Sequence, residues 1–166
     1  AYCIAKLNMT EFAFDPTGDN FHYGPARNPW NPECLTGGSS SGSGAAVASG
    51  QCPIAMGSDT GGSVRIPAAL CGVVGHKPTY GLISRYGVTP LAWSLDHVGP
   101  LTRTVEDTAM TLDVLAGHDP RDPTSSKRPV PNYRDALGSS IKGMRIGIPK
   151  EYIWDALDPD VESAVK

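Results

Sequence analysis

Two Gly-Gly-Ser units, Gly37-Gly38-Ser39 and Gly61-Gly62-Ser63, stand 24 residues apart with a run of small residues between them. Paired glycines before a serine let consecutive backbone N–H groups converge, because glycine takes positive φ with no Cβ in the way. A nest of that kind suits an oxyanion held beside the serine. The stretch over 36–50, TGGSSSGSGAAVASG, also has the composition of a flexible linker. Two plain Gly-rich turns flanking a βα unit would serve as well. From the residues alone the catalytic and the architectural readings both stand.

Two other chemistries fit worse. Gly38-Ser39-Ser40-Ser41-Gly42 satisfies the G-x-S-x-G nucleophile elbow, but that motif needs an apolar strand directly before it. Here Pro29 and Pro32 stand in the preceding segment, and a central strand does not carry prolines so placed. Gly75-His76-Lys77-Pro78 fails as a phosphate loop because proline follows the lysine.

Composition excludes several function classes. With 40% hydrophobic and 19% charged residues, 166 residues can bury a core as one domain. A formal net charge of -3 provides no basic footprint, so direct nucleic-acid binding is not expected. The longest apolar run, around 68–74, is broken by glycine and far short of a membrane span. Cys3, Cys34, Cys52 and Cys71 form no C-x-x-C pair, which predicts four reduced, mostly buried thiols in a cytoplasmic protein. His22, His76, His97 and His118 lack ligand spacing, so neither metal nor cofactor is expected.

Strand and helix signals alternate, which predicts an α/β fold. Residues 1–6 read as the tail of a buried strand, 14–35 as loop, and 44–50 as a short helix of small residues. Strands are expected over 54–57, 71–75 and 144–148, the last closed by Pro149. Residues 104–116 carry the clearest helix: Thr104 caps it, Glu106 and Asp107 occupy its first turn, and Gly117 stops it. Val105, Ala109, Leu112 and Leu115 would share its inner face. A polar, Pro-rich surface loop follows over 119–133. Asp158-Pro159 opens a last helix over 160–166. Both ends fall inside elements, so the expectation is an internal fragment, 1–166, of one larger domain.

The motifs resemble the amidase signature family. The resemblance rests on Gly37-Gly38-Ser39-Ser40, on Gly57-Ser58-Asp59-Thr60-Gly61-Gly62-Ser63-Val64-Arg65-Ile66-Pro67, and on Cys71-Gly72-Val73-Val74-Gly75-His76-Lys77-Pro78-Thr79. Lys6-Leu7-Asn8-Met9-Thr10-Glu11-Phe12, Asn28-Pro29-Trp30 and the run from Leu95 to Arg103 extend it, to about Tyr152. It implies a mixed central sheet covered by helices on both faces, partial in this chain, and amide hydrolysis by a Ser–Ser–Lys triad through an acyl-enzyme.

Carried over residue by residue, Ser63 is the nucleophile. Ser39 is the bridging serine, on a cis peptide bond, passing a proton between Ser63 and the lysine. Thr60, Gly61, Gly62 and Ser63 supply the oxyanion-hole N–H groups. Ser40 hydrogen-bonds the lysine, while Asp59 and Arg65 brace the loop, with a plain salt bridge an equal reading of Arg65. Ser41 stands where many members have glycine. The family's catalytic lysine lies upstream of Lys6, and Lys6 and Lys77 occupy other family positions. The resemblance implies a small-molecule amide as substrate. It covers free amidases, slightly favoured by Gly-Ser-Ser-Ser-Gly-Ser-Gly, and the glutamine-hydrolysing component of Glu-tRNA(Gln)/Asp-tRNA(Asn) amidotransferases, which would bring partner subunits. A non-catalytic interaction domain is the alternative of another class.

Overall fold

Residues 2–151 and 153–166 are described by the structure, a computed structural model. The segment His97–Thr102, HVGPLT, is buried from Gly99 onward and half-buried before it, and it forms the middle strand of the sheet. We label the elements in chain order: α1 (Ser41–Ala48), β1 (Ile54–Asp59), α2 (Arg65–Cys71), β2 (Val74–Gly75), β3 (His97–Thr102), α3 (Val105–Leu115) and α4 (Pro159–Val165). Short 3-10 turns lie at Glu11–Ala13 and Tyr133–Ala136.

β1 and β2 both pair antiparallel with β3, giving the order β1-β3-β2. The β1–β3 register runs from Ile54 opposite Thr102 to Asp59 opposite His97. That register brings Asp59, and the glycine-serine turn after it, to the end of the ladder where β3 begins. Val47, Ala55, Val64, Ala68 and Leu101 form the core, with Cys52 and Val73 packed against it. The α/β class is met, and the sheet among the described residues is antiparallel.

Glycine sets the spacing between α1 and its neighbours. A Cβ at Gly42 would sit 2.5 Å from the Asn8 backbone nitrogen, and one at Gly44 would sit 3.1 Å from Pro67 Cβ in α2. The helix begins three residues earlier than its small-residue pattern predicts, taking in Ser41 and Ser43. Ser43 Oγ donates to the Met56 carbonyl at 2.7 Å, which ties α1 to β1.

The expected strand over 71–75 is mostly something else. Residues 65–71 form α2, and only Val74–Gly75 pair as β2. Pro67 falls in the first turn, where a missing N–H costs nothing, and Gly72 ends the helix in the left-handed region at φ 67°. Asn28 and Trp30 finish the job. Asn28 Nδ2 donates to the Leu70 carbonyl at 2.9 Å and the Leu35 carbonyl at 3.0 Å, and Trp30 Nε1 donates to the Cys71 carbonyl at 2.7 Å. Asn28 is buried, so Asn28→Ala strands two carbonyls without a donor. The expected loss is about 2–3 kcal/mol, read as a lower urea midpoint at unchanged slope.

Four further expectations need correction. Residues 2–6 form no strand, with Tyr2 and Ile4 exposed, and Ala1 lies outside the described residues. Residues 144–148 form none either, and Met144, Ile146 and Ile148 are exposed. A strand exists only by pairing sideways, and neither segment has a neighbour to pair with among the described residues. The thiols are free, but Cys3 and Cys34 are exposed; only Cys71 is buried and Cys52 partly so. In α3, Thr104 caps as expected by accepting from the Asp107 N–H at 3.0 Å, and Ala109 and Leu112 are buried. Val105 is exposed, and Thr108 and Thr111 take its place on the inner face. Asp158 and Pro159 open α4 as their sequence predicts. No described helix is long and apolar enough to cross a membrane.

Candidate active site

The two glycine-serine turns meet at the β1 end of the ladder. The Ser40 N–H donates to the Ser63 carbonyl at 3.2 Å, so the first turn is stitched to the second through backbone. A belt over residues 8–16 holds the first turn from outside. The Thr10 N–H donates to the Ser39 carbonyl at 3.0 Å, Gly38 N–H to the Pro16 carbonyl at 2.7 Å, and Gly42 N–H to the Asn8 carbonyl at 2.8 Å. Gly38 leaves no room for a side chain: a Cβ there would lie 2.5 Å from the Asp15 carbonyl oxygen. The Gly38–Ser39 peptide bond is cis, as the resemblance implied for this serine. A stretch with linker composition is here buried from Thr36 to Gly44.

Ser39 is fully buried, and its hydroxyl has no hydrogen-bond partner among the described residues. A buried hydroxyl without a partner is costly unless something else completes it. Ser40 differs. Its Oγ donates to the Ser58 carbonyl at 3.3 Å and accepts from the Ser58 N–H at 3.2 Å, clamping β1 to the turn. One lone pair of Ser40 Oγ is then left for any further donor. Gly57 makes the clamp possible, since a Cβ there would lie 2.6 Å from Ser40 Oγ.

Ser63 is partly exposed at the mouth of the second turn, whose shape is dictated by Asp59. The Asp59 side chain is fully buried and accepts five donors. Gly62 N–H and Arg65 Nη2 reach Oδ1 at 2.9 and 2.8 Å, while Val64 N–H, Arg65 N–H and Arg65 Nε reach Oδ2 at 3.1, 3.3 and 3.0 Å. Burial pushes this carboxyl up, but the Arg65 guanidinium and the backbone N–H groups outweigh it and hold it below its ordinary value. Arg65 is therefore both brace and salt-bridge partner, the two readings left open for it.

The Gly62 N–H is spent inside the loop on Asp59, which corrects its place among the expected oxyanion donors. Gly62 contributes its conformation instead, with φ at 136°, and a Cβ would run into Ile66 at 2.8 Å. No hydrogen bond engages the N–H groups of Thr60, Gly61 or Ser63 among the described residues. Gly61 faces open space. Lys77 is elsewhere: its ammonium lies 3.3 Å from His97 Nε2 and donates to the Pro78 carbonyl at 3.2 Å.

One buried acid lies inside the run from Leu95 to Arg103 that extends the resemblance, but no role was assigned to it from the sequence. Asp96, the residue before β3, accepts from the Thr60 hydroxyl and from the N–H groups of Leu91 and Ala92 at 2.9 and 3.0 Å. An aspartate just ahead of an apolar strand, able to bond its own preceding turn, was the available signal. Thr10 and Asn8, which hold the Ser39 turn through main-chain atoms, left no side-chain signal to find.

Two serine-bearing turns joined by the Ser40–Ser63 backbone bond, beside the Asp59–Arg65 clasp and N–H groups unengaged among the described residues, define a serine-centred site at the end of an antiparallel ladder. The chain matches the Amidase family over residues 1–166 and belongs to that family. It is 56% identical over 162 residues to the A subunit of the glutamyl-tRNA(Gln) amidotransferase of Pelobacter propionicus, covering 98% of this chain and 33% of that protein. Among solved structures, it superposes at TM-score 0.92 and 47% identity on a chain from a vestigial protein complex described as revealing the evolutionary origins of an s-triazine catabolic enzyme, covering 95% of this chain and 35% of that one. A bacterial aryl acylamidase of the amidase signature family superposes at TM-score 0.67 and 39% identity, covering 74% of this chain and 25% of that one. The chain thus spans about a third of the length of the curated relatives it matches.

Proposed function

We propose that this chain carries the nucleophile half of an amide-hydrolysing site, in which Ser63 forms an acyl-enzyme. The observation that carries the reading is the backbone bond from the Ser40 N–H to the Ser63 carbonyl, which joins the turn of the partly exposed Ser63 to the turn that holds the buried Ser39 hydroxyl, itself without a partner among the described residues. Ser63 Oγ attacks the amide carbon, and its proton passes through Ser39 to a neutral lysine outside residues 1–166. The carbonyl oxygen, now negative, settles against the N–H groups of the turn, with Thr60, Gly61 and Ser63 the available donors. The amide C–N bond breaks as the lysine returns the proton to the leaving nitrogen. Water then attacks the ester carbonyl of the acyl-enzyme, and Ser63 leaves with its proton restored. Ser40 and Asp59 with Arg65 hold the two turns in place, the remaining lone pair of Ser40 being free to accept from the lysine.

The small-molecule amide is either a free carboxamide or the side-chain amide of glutamine. The Gly-Ser-Ser-Ser-Gly-Ser-Gly run favours the first. The 52–56% identity to amidotransferase A subunits supports the second, which would bring partner subunits with it. Glutamine hydrolysis releases ammonia, and a free amidase releases ammonia or an amine according to the amide it takes. Release of ammonia or amine by the full-length protein from primary and N-substituted carboxamides and from glutamine, with and without co-purified subunits, separates them. Activity on neither class would overturn the proposal. The free thiols support a cytoplasmic setting.

A lysine accepts a proton only when neutral, and its unperturbed pKa is about 10.4. Activity of the full-length protein is therefore expected to rise with pH from mildly acidic to alkaline conditions and to be lost towards about pH 5. A kcat/KM profile with its maximum near about pH 4 would rule out the lysine as base.

A further inference from the structure

Thr60 opens the turn that bears Ser63, and nothing in β1 secures it, because the β1–β3 register ends one residue earlier at Asp59 opposite His97. The ladder's next rung is made by side chains instead. Thr60 Oγ1 donates to Asp96 Oδ1, and Asp96 directly precedes β3. The other donors to this carboxylate come from its own turn, Leu91 N–H on Oδ2 and Ala92 N–H on both oxygens at 3.0 and 3.1 Å. Asp96 is buried, so it has no water to fall back on.

The turn over 91–96 is itself pinned. Arg85 Nη1 donates to the carbonyls of Trp93 and Asp96 at 2.8 and 3.1 Å, and Arg85 Nη2 donates to Tyr80 Oη and Thr124 Oγ1 at 2.7 and 2.9 Å. The guanidinium also lies over the Tyr80 and Trp93 rings at 4.7 and 5.4 Å. Asp96 is thus a fixed point. At the far end of the Ser63 turn, Asp59 holds Gly62, Val64 and Arg65. The segment from Thr60 to Ser63 is fastened at both ends by different carboxylates, and the N–H groups of Thr60, Gly61 and Ser63 stay unengaged among the described residues.

We propose that Asp96 is a positioning residue that acts through the Thr60 hydroxyl to set the peptide planes of the oxyanion-binding turn. The inference rests on the acyl-enzyme reading of Ser63. Burial pushes the Asp96 carboxyl up, but the Thr60 hydroxyl, the two N–H groups and the Arg85 charge outweigh it and keep it ionised at neutral pH. An anionic acceptor makes the stronger hydrogen bond. Without that bond the Thr60 peptide is free to rotate, and the donors no longer meet the oxyanion in the transition state. The substrate itself, which carries no such charge, binds as before.

The test uses the full-length protein. Thr60→Val keeps the shape and the backbone N–H but removes the hydroxyl, and Thr60→Ser restores it. Thr60→Val is expected to lower kcat on the order of 10- to 100-fold with KM within about twofold, the scale of a misplaced catalytic group. Thr60→Ser should return kcat to within about threefold of wild type. Asp96→Asn should lower kcat alike, and the double variant Thr60→Val/Asp96→Asn should be little worse than the worse single one, since both break one contact. A serine-reactive phosphonate, mapped by peptide mass, reports separately on Ser63. Labelling at Ser63 in wild type with a Thr60→Val kcat equal to wild type overturns the Asp96 inference alone. The same holds if Thr60→Ser fails to rescue, or if KM rises while kcat stays. If the wild-type protein is labelled elsewhere, the acyl-enzyme reading falls and takes this inference with it. Should Asp96→Asn not fold, the Thr60 pair decides the matter.

Discussion

Ser63→Ala in the full-length protein is expected to lower kcat about 10⁶-fold, the scale on which loss of a serine nucleophile acts elsewhere. The substitution removes one partly exposed hydroxyl and adds no bulk, so KM or an inhibitor Kd should move little. No hydrogen bond of Ser63 Oγ is broken among the described residues, and the Ser63 carbonyl that receives the Ser40 N–H is untouched. Melting temperature should therefore stay near wild type. Ser39→Ala should lose activity nearly as far, because the proton path then has a gap, and combining the two should cost little more than Ser63→Ala alone. Ser39 and Ser40 separate cleanly here. Ser40 Oγ clamps Ser58, so Ser40→Ala should reduce stability as well as rate, whereas Ser39 Oγ bonds nothing among the described residues and Ser39→Ala should reduce rate alone. A Ser63→Ala protein with wild-type turnover, and a Ser40→Ala protein with none, would hand the role to the elbow arrangement.

Asp59→Ala is expected to be the most destabilising single change at the site. It leaves the N–H groups of Gly62, Val64 and Arg65 without their acceptor, and the hydrogen bonds lost are to a charge. About 3 kcal/mol is the expected loss, with kcat falling at least about 100-fold as the turn opens. Arg65→Ala should cost less, about 2 kcal/mol, because the buried Asp59 carboxylate loses its counter-charge but keeps its three backbone N–H donors. The pH dependence has a definite sign. The Asp59 carboxyl in the folded protein titrates below its ordinary value of about 3.9, so its contribution is fully present above that value. It is lost as pH falls below about 4 through the folded-state value. Asp59→Asn should flatten this acid limb of the stability curve while lowering stability at neutral pH. Equal acid sensitivity in wild type and Asp59→Asn would show that the clasp does not govern the loop.

Much of the site was legible because it is local. Each Gly-Gly-Ser unit, the Asp59 to Arg65 clasp and the Thr104 cap lie within a few residues of chain, and short-range chemistry leaves its mark on composition. Gly62 shows where that legibility ends. Its need for positive φ was readable, but whether its N–H points at a ligand or at Asp59 depends on a carboxylate orientation that spacing does not encode. Asp96 was harder, since its partner Thr60 is 36 residues away and the contact exists only once β1 and β3 pair. The fold followed the same division. α3 and α4 announce themselves by caps, whereas the segments over 2–6 and 144–148 have strand composition and no strand, because pairing belongs to the sheet and not to the segment. In α2, apolar residues next to Val73 and Val74 looked continuous with a strand, although Pro67 and Gly72 marked both ends of a helix.

The central claim is that Ser63 becomes acylated. Full-length protein mixed with a carboxamide substrate, quenched in acid within milliseconds and digested, should yield one peptide heavier by the mass of the acyl group, with fragmentation placing it on Ser63. The adduct should vanish in Ser63→Ala and persist, slowly formed, in Ser39→Ala. An acyl group on Ser40 or Ser41, or turnover with no acylated serine at any quench time, would contradict the account.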